Sequence, residues 1–267
     1  MVPRTDGDQQ LFRMGGTMKK SLRISLTALA LAMLGVSAGA NAGVVIGTTR
    51  VIFPEKQNEV SISLSNDGAT PALVQAWLDD GDAGMAPEDV DVPFVLTPAM
   101  FRLDPGKGQT LRLMKTGPLP SSKVERLYWL NVLEVPPKAG DEAENRLQLA
   151  LRTRIKLMYR PAGLEGSPEQ APARVLWSLV RDDAGQGHAL VASNPTPYIV
   201  NFGSVSFSAG GQKHDAGAGH VLPGASTRFR LADFNGDKSA SAVVNYSAIN
   251  DWGSGVAGTS TLAGSGN

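Results

Sequence analysis

The sequence predicts an all-β chain of two antiparallel sandwiches of the immunoglobulin type. Three observations carry this. Short runs rich in Val, Ile, Thr, Leu and aromatic residues alternate apolar with polar, the period of a strand with one buried face. Clusters of Asn, Asp, Gly and Pro break these runs at short intervals. No segment holds a helical period over about 11 residues, and the length suits two domains of about 110 residues each.

The first 42 residues stand apart from that fold. Met18, Lys19, Lys20 and Arg23 form a basic start, and Ile24 to Val36 is an apolar run too short to span a bilayer. Ala40-Asn41-Ala42 is a small-x-small cleavage site, so this is read as a secretory signal removed after Ala42. Residues 1–17 are polar and have no place in such a signal; they read as translation from an upstream start. The expected mature chain has 225 residues, 20 basic and 23 acidic. That balance argues against nucleic acid, which needs a concentrated basic surface. No other long apolar run offers a stable membrane anchor. Cysteine is absent, so the cores alone must hold the exported domains.

The first domain is placed at 43–162. Thr48 to Phe53 is a strand, and Pro54 to Asn58 turns it. Val60 to Leu64 alternates strictly, Asn66-Asp67-Gly68 turns, and Leu73 to Leu78 returns. Trp77 shares its parity with Leu73 and Gln75, so alternation alone does not bury it. Phe94 to Thr97, Met100 to Leu103 and Thr110 to Met114 follow, with Asp104-Pro105-Gly106 as a strong turn. Tyr128 to Val135 ends at Pro136-Pro137, and residues 138–145 are a polar connection.

Arg146 to Arg160 then alternates for about twice the usual strand length. Leu147, Leu149, Leu151, Ile155, Leu157 and Tyr159 share one parity; Gln148, Arg152, Arg154, Lys156 and Arg160 share the other. It is either a core strand or one that exposes leucines to a partner. The second domain, at 163–267, begins with an Ala-, Gly- and Pro-rich linker to about residue 173. Strands are expected at Val175 to Arg181, His188 to Ala192, Phe202 to Phe207, Thr227 to Leu231 and Ser241 to Ile249. Gly253 to Asn267 is rich in Gly and Ser, and a final strand there is expected to be weak.

Several ordered blocks resemble the periplasmic chaperones of the chaperone–usher pilus pathway, the PapD-like family. They are Thr49 to Phe53, Ser65-Asn66-Asp67, Gln75-Ala76-Trp77, Phe101 to Gly106, Tyr128 to Pro137, Ile155 to Pro161, Asn194 to Tyr198 and Ile249 to Gly253. The resemblance spans nearly the whole mature chain. It implies two sandwiches set at an angle with a cleft between them, pilus subunits and an outer-membrane usher as partners, a periplasmic location, and no cofactor. It also implies possible self-association through the exposed strand. The short 138–145 connection resembles members serving rod-like or adhesive-tipped pili.

The resemblance assigns sites residue by residue. Arg50 and Lys156 match the cleft pair that binds a subunit's C-terminal carboxylate; a carboxylate leaving water needs fixed donors of opposite charge. Leu147, Leu149 and Leu151 match the residues that fill a groove in the subunit. Lys156 has the opposite parity to these leucines, so a bulge near Thr153 is expected to reconcile their facing. Glu134, Arg160 and Asp251 match an interdomain ion-pair cluster. Arg102 and Asn194 are assigned to structure.

No catalytic or metal set competes with this. His188, His214 and His220 lack ligand spacing, and no Gly-x-Ser-x-Gly elbow occurs. Pro105 to Thr110 is a turn rather than a phosphate loop, and Asp233 to Asp237 a hairpin turn rather than a calcium loop. The alternatives are a secreted two-domain adhesion module, for which loop aromatics are scarce, and a hydrolase on a sandwich scaffold, for which no triad is present.

Overall fold

A computed structural model of the chain describes residues 43–117, 119, 122–137, 148–182, 187–232, 234, 236 and 242–263. The expected signal segment and Leu147 lie outside these residues, as does the 138–145 connection.

Among the described residues, the first sandwich has nine strands: β1 (Val44–Ile46), β2 (Arg50–Pro54), β3 (Glu59–Asn66), β4 (Ala72–Asp79), β5 (Phe94–Thr97), β6 (Met100–Leu103), β7 (Gly108–Lys115), β8 (Arg126–Val135) and β9 (Leu151–Arg160). One sheet runs β1-β3-β7-β5 and the other β2-β9-β8-β4-β6. Every pairing is antiparallel except β2 with β9, which is parallel and sets Arg50 opposite Lys156. Alternation does what it promises in β4, where Ala72, Val74, Ala76 and Leu78 are buried. Phe53, Phe94, Tyr128 and Tyr159 close the core as one aromatic group, Phe94 lying 5.2 Å from both Phe53 and Tyr128. Each such side chain is worth roughly 1.5–3 kcal/mol when fully buried.

The second sandwich holds β10 (Leu176–Arg181), β11 (His188–Ser193), β12 (Val200–Ala209), β13 (Gln212–Val221), β14 (Ser226–Leu231), β15 (Val243–Ile249) and β16 (Gly255–Thr261). Its sheets run β10-β11-β14 and β13-β12-β15-β16. Trp177 is fully buried at the centre, with Phe202 at 5.3 Å and Phe229 at 5.7 Å. A 3₁₀ turn at Ala171–Arg174 leads into it.

A buried asparagine ties a corner of each sandwich. Asn66 donates to the carbonyls of Thr70 and Leu103 at 2.9 Å each. Asn194 donates to those of Tyr198 (2.7 Å) and Val221 (3.1 Å). Buried backbone acceptors need such partners. The Asp104-Pro105-Gly106 turn forms as expected, with Gly106 at φ 66°. Arg102 sits outside the core and pairs with Asp104.

Three expectations change. The terminal segment forms a full strand: β16 pairs with β15 from Val243↔Thr261 to Ile249↔Gly255. Its backbone completes the sheet although few of its side chains are apolar. Among the described residues of the long alternating strand, pairing begins at Leu151, because β8 ends at Val135 and Pro136-Pro137 have no N–H to extend the ladder. The bulge expected near Thr153 is absent. Pairing of β8 with β9 runs unbroken from Arg126↔Tyr159 to Glu134↔Leu151.

Candidate functional site

Strand β9 has two different edges. Along β8 it is paired from Leu151 to Tyr159, but along β2 only from Lys156 to Arg160. Among the described residues, no strand lies against Leu151–Ile155 on the β2 side. Such an edge offers free N–H and C=O groups to another chain. Leu149 and Leu151 are 60% and 58% exposed beside it. Ile155, Leu157 and Tyr159, on the same parity as Leu151, are buried in the core. The leucines therefore continue the core face past the end of the sandwich, while Lys156 points the opposite way. No bulge is needed, because a chain laid along the edge meets both faces.

Where β2 begins, the open edge ends, and two cations stand there. Arg50 and Lys156 are cross-strand neighbours, an arrangement that like charges disfavour. Among the described residues neither forms an ion pair. Lys156 Nζ donates to Asn201 Oδ1 at 2.5 Å and lies 5.7 Å from the Trp129 ring. Arg50 Nη1 donates to the Ile249 carbonyl at 3.3 Å, and its buried Nε has no acceptor among the described residues. Burial, then the Arg50 charge, lowers Lys156 to about 8. Burial also lowers Arg50, against the pull of Asp251. Burial and Lys156 push His220 down to about 4. His220 faces Trp129 edge-on at 6.2 Å and pairs with Asn201 across β12 and β13. Two crowded, partly desolvated cations with a donor to spare suit an incoming anion.

The wall opposite belongs to the second sandwich, and a second cluster joins the two. Arg160 donates to both oxygens of Asp251 at 2.6 and 2.9 Å, and its Nε donates to Glu125 Oε1. Glu125 Oε2 accepts from the Ile199 N–H at 2.7 Å. Burial lifts the Glu125 carboxyl above the usual range despite Arg160. Burial also opposes the Arg160 charge, but the two carboxylates hold that guanidinium protonated. A cleft of about 570 Å³ opens beside it, lined by Glu125, Tyr128, Trp129, His220 and Leu222 among others.

Glu134 is not part of this cluster. Antiparallel pairing sets Glu134 opposite Leu151, at the far end of β8 from Arg160. Nine residues at about 3.3 Å each put it roughly 30 Å from the junction. Its carboxylate accepts instead from the Val44 N–H at 2.8 Å, fixing β1. Glu125, one residue before β8, takes the place expected of it. The structure thus brings Arg50 and Lys156 together, and Arg160 with Asp251, and sets Leu149 and Leu151 apart on the overhang. Asn201, His220 and Glu125 carried no motif in the sequence.

Comparison with known proteins agrees across both sandwiches. Residues 43–165 match the N-terminal domain of the pili and flagellar-assembly chaperone PapD, and residues 170–260 match the C-terminal domain of the pili assembly chaperone PapD. This chain belongs to the PapD family of pilus-assembly chaperones. The probable fimbrial chaperone YadV of Escherichia coli K12 is 41% identical over 86% of this chain and 94% of its own. The chaperone protein FimB/FhaD of Bordetella pertussis is 42% identical over 86% and 93%. The crystal structure of YadV superposes with TM-score 0.70 at 40% identity, covering 83% of this chain and all of that one. The SafB chaperone of Salmonella enterica, solved in complex with the SafA pilin, superposes with TM-score 0.67 at 28% identity over 82% of this chain and 96% of that one. The family chaperones pilus subunits and includes periplasmic members such as SfaE.

Proposed function

We propose that this family member captures a pilus subunit by its C-terminal end, with Arg50 and Lys156 holding the terminal carboxylate and the free edge of β9 pairing with the residues before it. The observation that carries this is the position of the two cations, at the point where β2 closes the edge that is open from Leu151 to Ile155. Geometry then sets direction. A segment whose carboxylate lies at Lys156 and whose chain lies along residues 151–155 must run parallel to β9. Leu149 and Leu151, with Leu147 before them, would fill a groove in the subunit. Each leucine contributes roughly 1.5–3 kcal/mol when fully buried, and each charge-assisted bond roughly 1.5–3 kcal/mol.

The subunit so held keeps its own unpaired edge covered until an outer-membrane usher exchanges β9 for a neighbour's strand. Nothing in this cycle requires catalysis, cofactor or nucleotide. The same reading divides the chain at Ala162–Gly163 and takes residues 18–42 as an export signal. N-terminal sequencing of the exported protein should begin at Gly43; a retained Met18 or Met1 contradicts that.

The test is co-purification. Arg50→Ala and Lys156→Ala should each lose the subunit that accompanies the wild-type protein, while circular dichroism and Tm show an intact fold. Capture at wild-type yield by both variants would overturn the carboxylate clamp.

A further inference from the structure

The exposed half of β9 lacks what usually keeps a strand straight. Among the described residues, it has one neighbouring strand instead of two from Leu151 to Ile155, and Leu151, Arg152 and Thr153 are exposed. Half-paired edges fray at little cost. On the face opposite the leucines, however, the cations are held by a buried platform. Arg152 Nε and Nη2 both donate to Asn131 Oδ1, at 2.9 and 2.7 Å, and Nη1 donates to the Ala83 carbonyl at 2.7 Å. Its guanidinium lies 4.8 Å above the Trp77 ring. Arg154 donates through Nε and Nη2 to the two oxygens of Asp79 and lies 4.2 Å above Trp129.

The platform is fixed from below. Asp79 and Asn131 are fully buried, and Asn131 Nδ2 donates to Asp79 Oδ2 at 2.7 Å. The Gly81 N–H donates to Asp79 Oδ1 at 2.8 Å. Burial favours the neutral acid, but the Arg154, Asn131 and Gly81 bonds outweigh it and hold the Asp79 carboxyl below its usual range. Planar guanidinium forks stacked on aromatic rings and bonded at fixed angles leave little freedom to the backbone that bears them. Ordering a strand before a partner arrives removes that entropy from the cost of binding.

We infer that Arg152 and Arg154 are positioning residues, which through Asn131, Asp79, Trp77 and Trp129 keep the half-paired part of β9 extended and ready for the incoming chain. This rests on the donor-strand reading above. It adds that Arg152 and Arg154 serve capture through the protein's own platform rather than as contacts to the subunit.

The decisive variant is Arg152→Met, which keeps an unbranched apolar stem over Trp77, loses the fork, and leaves Asp79 with Arg154. Arg154→Met is the harsher companion. Two quantities are read: amide hydrogen exchange at residues 151–155 of the free protein, and the association rate with the pilus subunit that co-purifies with wild type. In Arg152→Met, exchange at these amides should rise about tenfold and association fall about tenfold, each equivalent to roughly 1.4 kcal/mol, with Tm within about 3 °C of wild type. Arg152→Lys, which keeps charge without the fork, should behave like Arg152→Met; full rescue by lysine would point to charge alone and overturn the proposal. Unchanged exchange overturns it, as does faster exchange with an unchanged association rate. A Leu151→Asp control separates the two readings. If that variant captures the subunit normally, the donor-strand reading falls, and the exchange result alone decides whether the arginines hold the strand.

Discussion

In the proposed carboxylate clamp, Lys156 is the residue on which the chemistry turns. Burial and the Arg50 charge hold it at about 8, well below an ordinary lysine. Folding with a lowered lysine pKa costs stability at neutral pH, where the group is charged in both states, and the cost is relieved as pH rises from about 8 toward the unfolded value. Lys156→Met should therefore raise Tm at pH 7 while abolishing capture, a trade of stability for a site. Binding a carboxylate favours the ammonium, so capture takes up a proton once the free lysine begins to titrate. The subunit's Kd should be flat from pH 6 to 7 and rise by up to about tenfold per pH unit above 8; titrations at pH 7 and 9 check this. A Kd that improves at pH 9 contradicts the role given to Lys156. Arg50 and Lys156 were legible in the sequence because each sits in a recognisable block. Asn201 and His220 were not, since their approach depends on how the second sandwich meets the first.

At the scale of the element, β9 shows what alternation can and cannot tell. Parity correctly separates the leucines from the cations. It does not say where the neighbouring strands stop, which is what turns a core strand into an open edge. The expected bulge arose from assuming that one face of β9 meets the partner; an edge presents both. Leu151→Asp should change Tm little, since the side chain is 58% exposed and surface substitutions usually move stability by less than about 0.5 kcal/mol. The same variant should weaken capture at least tenfold, as a charge placed in an apolar groove must be desolvated. Normal binding by Leu151→Asp would remove the leucines from the account. Glu134 makes the complementary point. A motif match put it at the domain junction, whereas pairing opposite Leu151 puts it at the other end of β8.

At the scale of the whole molecule, Arg160 joins Glu125 of the first sandwich to Asp251 of the second. The Glu125 side chain is 1% exposed, so deleting its partner leaves a buried carboxylate uncompensated. Arg160→Ala should cost roughly 3–5 kcal/mol in urea unfolding, and capture should fail with it as the cleft loses its geometry. Glu134→Gln, which touches one backbone N–H at β1, should cost about 1 kcal/mol and leave capture intact. Equal losses in the two variants would contradict the assignment of Glu125. The two-sandwich fold was readable because buried faces and turns repeat along the chain. The junction was not, because its partners come from distant stretches with no common period.

The most direct measurement is amide hydrogen exchange along β9 in the complex with the co-purified subunit. Those amides of residues 151–155 that face the open edge in the free protein should gain at least tenfold protection, while those of residues 157–159, in the stretch paired with both β8 and β2, change little. Unchanged exchange at 151–155 in a complex that remains intact would contradict the donor-strand reading.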